Sequence, residues 1–297
     1  MSSRVLTDFD LLLPGSLEEA LEILDRERGA VTVLSGGTDL LVMMKAGFEA
    51  DKVMSLALLG DLNRLEFDSA TGLRIGARTT LAQLVDSPEV RQHYPALWQS
   101  ARIFATPQLR NTATVVGNLL RGSPAGDCSA AVAALGGTLV MATAGGGRRE
   151  IDIDDLWVSY GVTARADNEL AVELRLPAPD SGTASAFKRL TRVNEDLAKL
   201  NVAVCLQMDG DTCKSARFAM GCVAPTMIRL PAAEAIVQGA KVDDETLARA
   251  AEAVQQDISP IDDKRSTAGF PVSRGSCSKS VRCPRSRRTH CVSVSMP

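Results

Sequence analysis

Hydrophobic positions along the first fifty residues change period twice. Leu17, Ala20, Leu21 and Leu24 recur at the three- and four-residue steps of a helix, just after the turn Pro14-Gly15. Ser16 stands at the N-cap and Glu19 three residues on, the spacing of a capping box. Val31–Leu34 is a β-branched run that predicts a strand, and residues 53–56 predict another. Between them the apolar run Asp39-Leu40-Leu41-Val42-Met43 predicts a short helix. These elements make a small α/β unit over residues 1–57. A second unit, 58–177, begins with strands over 62–67 and 73–77 around the turn "DSATG". Thr80 caps a helix carrying Leu81, Leu84 and Val85. A longer helical pattern from Pro95 towards Arg110 must end or bend at Pro107. A further helix starts near Asp127, and residues 138–142 and 170–176 predict strands around the turn Gly145-Gly146-Gly147.

From residue 178 the pattern changes. A linker-like "PAPDSGTASA" leads into residues 186–190 and two β-rich runs, 201–208 and 215–223, joined by "DGDTCK" as a hairpin. Helical stretches over 232–238 and 243–257 follow. Residues 178–270 thus predict a third unit, an antiparallel sheet with helices on one side. The last stretch, 271–297, has no Asp or Glu, seven Ser, five Arg and three Cys. That break in composition has three readings: a change of reading frame near Phe270–Pro271, an ordinary disordered tail, or a basic interaction tail or metal-binding Cys/His cluster.

Composition narrows the function classes. The chain is 45% hydrophobic and 23% charged, ordinary for a globular protein with a sizeable core. A net charge of −3 gives no basic field for nucleic acid. No apolar run reaches membrane-spanning length and the N-terminus has no secretory pattern, so a cytoplasmic protein is expected. Cys128, Cys205, Cys213 and Cys222 lack the close spacing of a metal or iron–sulfur site and are expected as buried thiols. With two His and no triad pattern there is no hydrolase signal.

Two glycine loops carry the remaining chemistry: "LSGGTDLL", residues 34–41, and "TATVVGNLLRGSPAGD", residues 112–127. Without a Cβ, glycine lets an anion sit against backbone N–H groups, which supply partial positive charge. Residues 35 to 39 can aim several N–H groups at one phosphate, with hydroxyls from Ser35 and Thr38. Val116, Gly117 and Asn118 can do the same from the other side. Neither loop is a Gly-x-Gly-x-x-Gly fingerprint or a Gly-Lys-Ser/Thr phosphate loop, which argues against a Rossmann site and a nucleotide triphosphatase. Asp127 stands where a carboxylate caps a helix, and it can equally accept from sugar or ribityl hydroxyls.

Taken together, "LSGGTDLLVMMKAG", "PQLRNTATVVGNLLRGSPAGD" and "AFKRLTRVNEDLAKLNVAV" resemble the FAD-binding medium subunits of the molybdenum hydroxylases, the group of carbon monoxide and xanthine dehydrogenases. The likeness runs in order over residues 5–268. It implies an α+β chain: an FAD-binding fold of the vanillyl-alcohol-oxidase type made of two α/β subdomains, plus a C-terminal three-stranded antiparallel sheet with helices. It implies FAD held by Ser35, Gly36, Gly37, Thr38 and Asp39, with Leu34 and Leu40 at the ends of that loop. Thr114, Val116, Gly117 and Asn118 form the opposite side. Asp127 matches the residue that bonds the sugar or ribityl hydroxyls. Lys188, Arg192 and Asp196 match polar positions of the C-terminal domain, as flavin contacts or as a salt-bridge network. The implied partners are a molybdopterin-containing large subunit and a two-iron two-sulfur small subunit, in a dimer of heterotrimers.

Two departures stand out. The family pattern Gly-Thr-Ile-Gly-Gly-Asn has alanine at its first glycine, Ala113, and valine at its second, Val116. Valine disfavours positive φ, so Val116 is expected to keep a β conformation with its side chain turned away, or else to weaken FAD binding. No cysteine-rich insertion follows residue 118, so no four-iron cluster is expected here. The electron-transfer role expected from the resemblance has two rivals: a stand-alone FAD oxidoreductase, and a scaffold subunit that has lost FAD.

Overall fold

The computed structural model describes residues 6–260 and two short strands beyond them. The first layer is built from β1 (Asp10–Leu12), α1 (Leu17–Glu27), β2 (Val31–Leu34), α2 (Leu40–Lys45) and β3 (Lys52–Ser55). Its three strands are parallel, in the order β1-β3-β2, so each connection must cross over the sheet. Ser16 caps α1 by accepting from Glu19 N at 3.2 Å. Glu19 reaches back one residue further than a capping box requires and accepts from Gly15 N at 2.7 Å. β1 lies in a stretch whose three consecutive leucines show no alternation, and the sequence pattern did not announce it.

The second layer starts with β4 (Leu65–Asp68) and β5 (Gly72–Gly76). Six helices follow: α3 (Leu81–Asp86), α4 (Pro88–His93), α5 (Pro95–Ile103), α6 (Pro107–Arg110), α7 (Val115–Leu120) and α8 (Asp127–Leu135). The chain then returns through β6 (Thr138–Ala142), β7 (Arg148–Asp152), the small hairpin β8 (Trp157–Ser159) and β9 (Val162–Thr163), and β10 (Leu170–Leu176). The five-stranded sheet runs β4-β5-β10-β6-β7 and every pairing in it is antiparallel. Thr80 and Gln83 complete a capping box on α3. Pro107 opens a new helix instead of bending the old one, and the break is marked by Ala105 at φ +40°. Every residue of α8 is buried, because the helix lies between the C-terminal sheet on one side and α5 and α7 on the other.

The third layer comprises β11 (Thr183–Leu190), β12 (Leu200–Asp209), β13 (Thr212–Gly221) and β14 (Ile228–Arg229), with α9 (Pro231–Val237) and α10 (Asp244–Asp257). The sheet has four strands, one more than expected. The addition, β14, is only two residues long and pairs Ala219 with Arg229 and Met220 with Ile228, too short to leave a periodic signal. One sheet face packs through Phe187, Ala203 and Ala219 on the core containing α5 and α8. The other packs through Leu200, Leu206 and Met220 on α9 and α10. The two further strands, β15 (Val281–Arg282) and β16 (Ser293–Val294), pair with each other. The remainder of the tail, with the expected disorder and change of frame, lies outside the described residues. Among the described residues, no helix is long and apolar enough to cross a membrane.

Candidate functional site

Both glycine loops open onto one cleft of about 440 Å³. Residues 31 to 40 form one wall; Thr114, Val116, Gly117 and Asn118 are part of the opposite one. The strand-to-helix loop after β2 is tight for two different reasons. At Gly36 a Cβ would stand 1.9 Å from the Thr112 carbonyl oxygen, so this glycine lets the two loops touch each other. Gly37 is in the left-handed region at φ +72°, where a side chain would also meet Leu34 and Leu41. The loops are further joined by hydroxyls: Thr114 Oγ1 lies 3.5 Å from Ser35 Oγ, which donates to Ala77 O at 3.3 Å. Leu81 N donates to Ala113 O at 2.9 Å and anchors the second loop to α3.

The backbone donors of this junction are left open. Among the described residues, the N–H groups of Gly36, Gly37, Thr38 and Asp39 have no protein acceptor, nor do those of Val115 and Val116. Thr114 caps α7 by accepting from Gly117 N at 3.1 Å, and a Cβ at Gly117 would lie 2.8 Å from that hydroxyl. Val116 is helical, not extended, and its side chain is 3% exposed within the main core. The expected β conformation is therefore corrected. A valine is tolerated here because helical φ is negative and the branched Cβ turns inward. Asn118 lines the cleft, and its Oδ1 is buried without a partner. An open row of donors beside an orphaned acceptor fits a ligand that carries both phosphate and hydroxyl or N–H groups.

Two of the expected residues stand elsewhere. Asp127 is the first residue of α8, behind Gly126 as N-cap, and it is outside the cleft lining. Arg189 donates to its Oδ2 at 2.6 Å and Asn201 Nδ2 to its Oδ1 at 3.2 Å. Burial pushes this carboxyl above its ordinary range, with Arg189 and Asn201 opposing the shift. The cluster ties α8 to β11 and β12. Lys188 is exposed and pairs across the sheet with Val202, on the face opposite the one from which Arg189 reaches Asp127. Arg192 and Asp196 form an exposed ion pair at 2.6 Å.

Sequence reading missed Arg121 and Arg165, which line the cleft, and Arg189 and Asn201, which hold Asp127. Arg121 was legible as the residue three past Asn118 on one helical face. Arg189 was legible from strand alternation, which puts it opposite Lys188. Among the cysteines, Cys128 and Cys213 are buried free thiols, and burial pushes the Cys128 thiol up to about 12. Cys205 is half-buried rather than buried, and so is Cys222, whose sulfur lies 3.2 Å from Ala198 O.

Residues 7–179 match the family described as the FAD binding domain in molybdopterin dehydrogenase, and residues 185–273 match the CO dehydrogenase flavoprotein C-terminal domain. The carbon monoxide dehydrogenase medium chain of Hydrogenophaga pseudoflava is 30% identical over 88% of this chain and 91% of its own length. The nicotine 6-hydroxylase medium subunit of Paenarthrobacter nicotinovorans is 30% identical over 86% and 89%. A solved carbon monoxide dehydrogenase from Hydrogenophaga pseudoflava, lacking the Mo-pyranopterin moiety of its cofactor, superposes with a TM-score of 0.87 at 31% identity, over 92% of this chain and 94% of that one. Fold, paired loops and continuous similarity agree: the chain belongs to the family of FAD-binding medium subunits of the molybdenum hydroxylases.

Proposed function

We propose that this chain carries electrons through FAD within a larger cytoplasmic assembly. The partners are a molybdopterin-containing large subunit, which oxidises the substrate, and a two-iron two-sulfur small subunit, which passes electrons on, arranged as a dimer of heterotrimers. Support comes from the relatives: several are named as medium chains or subunits, and one is a carbon monoxide dehydrogenase described by its molybdenum cofactor. The single observation that carries the FAD site is the meeting of the two loops, with residues of both that have unpartnered N–H groups lining one cleft.

When bound, FAD supplies the redox chemistry, accepting electrons from the partner side and releasing them to an external acceptor. The chain itself holds and orients the cofactor. In this proposal Ser35, Gly36, Gly37, Thr38 and Asp39, flanked by Leu34 and Leu40, hold the pyrophosphate with Thr114, Val116 and Gly117. Asn118 accepts from a hydroxyl or N–H group through its open Oδ1. A flavin contact at Asp127 or Lys188 rests on the family resemblance alone, since both stand outside the cleft lining. No side chain of this protein is assigned to acid, base or nucleophilic chemistry on the organic substrate.

Purifying the full chain alone and with its encoded neighbours tests the reading. Substrate should bleach the flavin only in the assembled complex. Bleaching of the isolated chain would favour a self-contained oxidoreductase, and colourless folded protein in both preparations would favour a scaffold that has lost FAD.

A further inference from the structure

Two arginines line the cleft, and their donors are committed differently. Arg165 Nη1 donates to the carbonyls of Ala166 at 3.1 Å and Glu169 at 2.8 Å, and burial pulls its pKa below the usual arginine range. Arg121 sits at the C-cap of α7, and its guanidinium has no hydrogen-bond acceptor among the described residues. Its ionic neighbour is Asp39, whose Oδ1 is 3.9 Å from Nε, beyond hydrogen-bond reach. The Arg121 side chain is nonetheless only 25% exposed. Its position is set by the backbone around it: Arg121 N donates to Gly117 O at 3.0 Å, and Gly161 N donates to Gly122 O at 3.0 Å. Nη1 lies 3.6 Å from the point where a Cβ at Gly161 would stand, so the β8–β9 turn covers the guanidinium.

A guanidinium presents a planar fork of donors suited to phosphate oxygens. Here that fork is half-buried and unengaged, beside a loop whose N–H groups are also unengaged. Asp39 at the mouth of the same loop, 56% exposed, opposes any incoming anion unless a cation offsets it. We propose that Arg121 is the cationic arm of the cradle: it leaves Asp39 and donates to the pyrophosphate of FAD. This rests on the FAD reading above and extends it, since the loops alone offer only partial charges. It also makes the Asp39 carboxylate a competitor for Arg121, while the backbone N–H of Asp39 stays among the cradle's open donors.

The test is titration of FAD into the flavin-stripped full chain at low and high salt, for the parent protein, Arg121→Gln, Arg121→Lys, Asp39→Asn and Gly37→Val. Arg121→Gln should raise the FAD Kd about tenfold to hundredfold, the range of one lost charge-assisted contact. Arg121→Lys should recover part of that loss. Salt should weaken the parent more than Arg121→Gln, because screening acts on the charge that the glutamine lacks. Asp39→Asn keeps the backbone N–H and removes only the carboxylate, so it should bind as tightly as the parent or tighter. Circular dichroism confirms folding of each variant. Arg121→Gln with unchanged Kd and salt dependence, while Gly37→Val loses binding, overturns the arm and leaves the FAD cleft intact. Parent-like binding by both variants overturns the arm and the cleft assignment together.

Discussion

At the scale of single residues, the two glycines of "SGG" have separate duties. Gly36 admits the neighbouring loop, and Gly37 supplies a left-handed turn. The motif was visible in the sequence, but this division was not, because the contact with Thr112 bridges segments far apart in the chain. Val116 shows the opposite limit. Its departure from the family glycine was legible, while its helical backbone and burial were not, since both depend on α7 docking into the core. Val116→Gly should therefore destabilise the protein by about 2–4 kcal/mol, from the emptied volume and the helical glycine. Its FAD affinity should stay near the parent value once folded protein is compared. Chemical denaturation paired with flavin titration checks both halves.

At the scale of elements, β10 was predicted with its final boundaries because it is a central, largely apolar strand flanked by turn residues. β7 was missed: four of its five residues are exposed, and it is recognisable only as the partner of β6 across the glycine turn. The short β1 and β14 escaped for want of length. Buried charge on β10 was equally hidden, since it is arranged by strand register. Glu173, fully buried, receives hydrogen bonds from Arg74 at 2.8 Å and Arg175 at 2.6 Å, with Arg64 also in contact. Burial works to raise its carboxyl, but these arginines together hold it below the ordinary glutamate range. Glu169 is lowered too, first through its hydrogen bond from Arg149. A carboxyl depressed in the folded state adds stability that is present above its unfolded pKa and lost as pH falls through the folded value. Thermal melts should therefore show stability falling as pH drops below the ordinary glutamate range. Glu173→Gln leaves partly exposed arginines that water can reach, so it should cost about 1–3 kcal/mol at neutral pH and flatten that acid dependence.

At the scale of the whole molecule, the FAD-binding part and the C-terminal sheet are joined through α8 and the buried Asp127–Arg189–Asn201 cluster. The change in hydrophobic period near residue 178 falls between β10 and β11, and the family was legible from three motifs in sequence. The junction was not, because its partners come from β11 and β12, more than sixty residues beyond Asp127. Asp127→Asn keeps the shape but leaves Arg189 buried without its counter-charge. It should lower stability by about 3–5 kcal/mol, readable as a lower denaturation midpoint even in flavin-free protein. An unchanged midpoint would show that the cluster does not fasten the two parts.

The central claim is that the cleft between the two loops holds FAD, and Gly37→Val addresses it most directly. A branched side chain at φ +72° strains the turn by about 1–3 kcal/mol and fills space beside Leu34 and Leu41, so the N–H groups lose their arrangement. Flavin content should be measured by absorbance on the full chain and this variant, with circular dichroism as the control for folding. The parent should carry stoichiometric FAD, and the variant should lose most of it while remaining folded. Equal flavin content in both, or a folded parent that takes up no FAD, would contradict the claim.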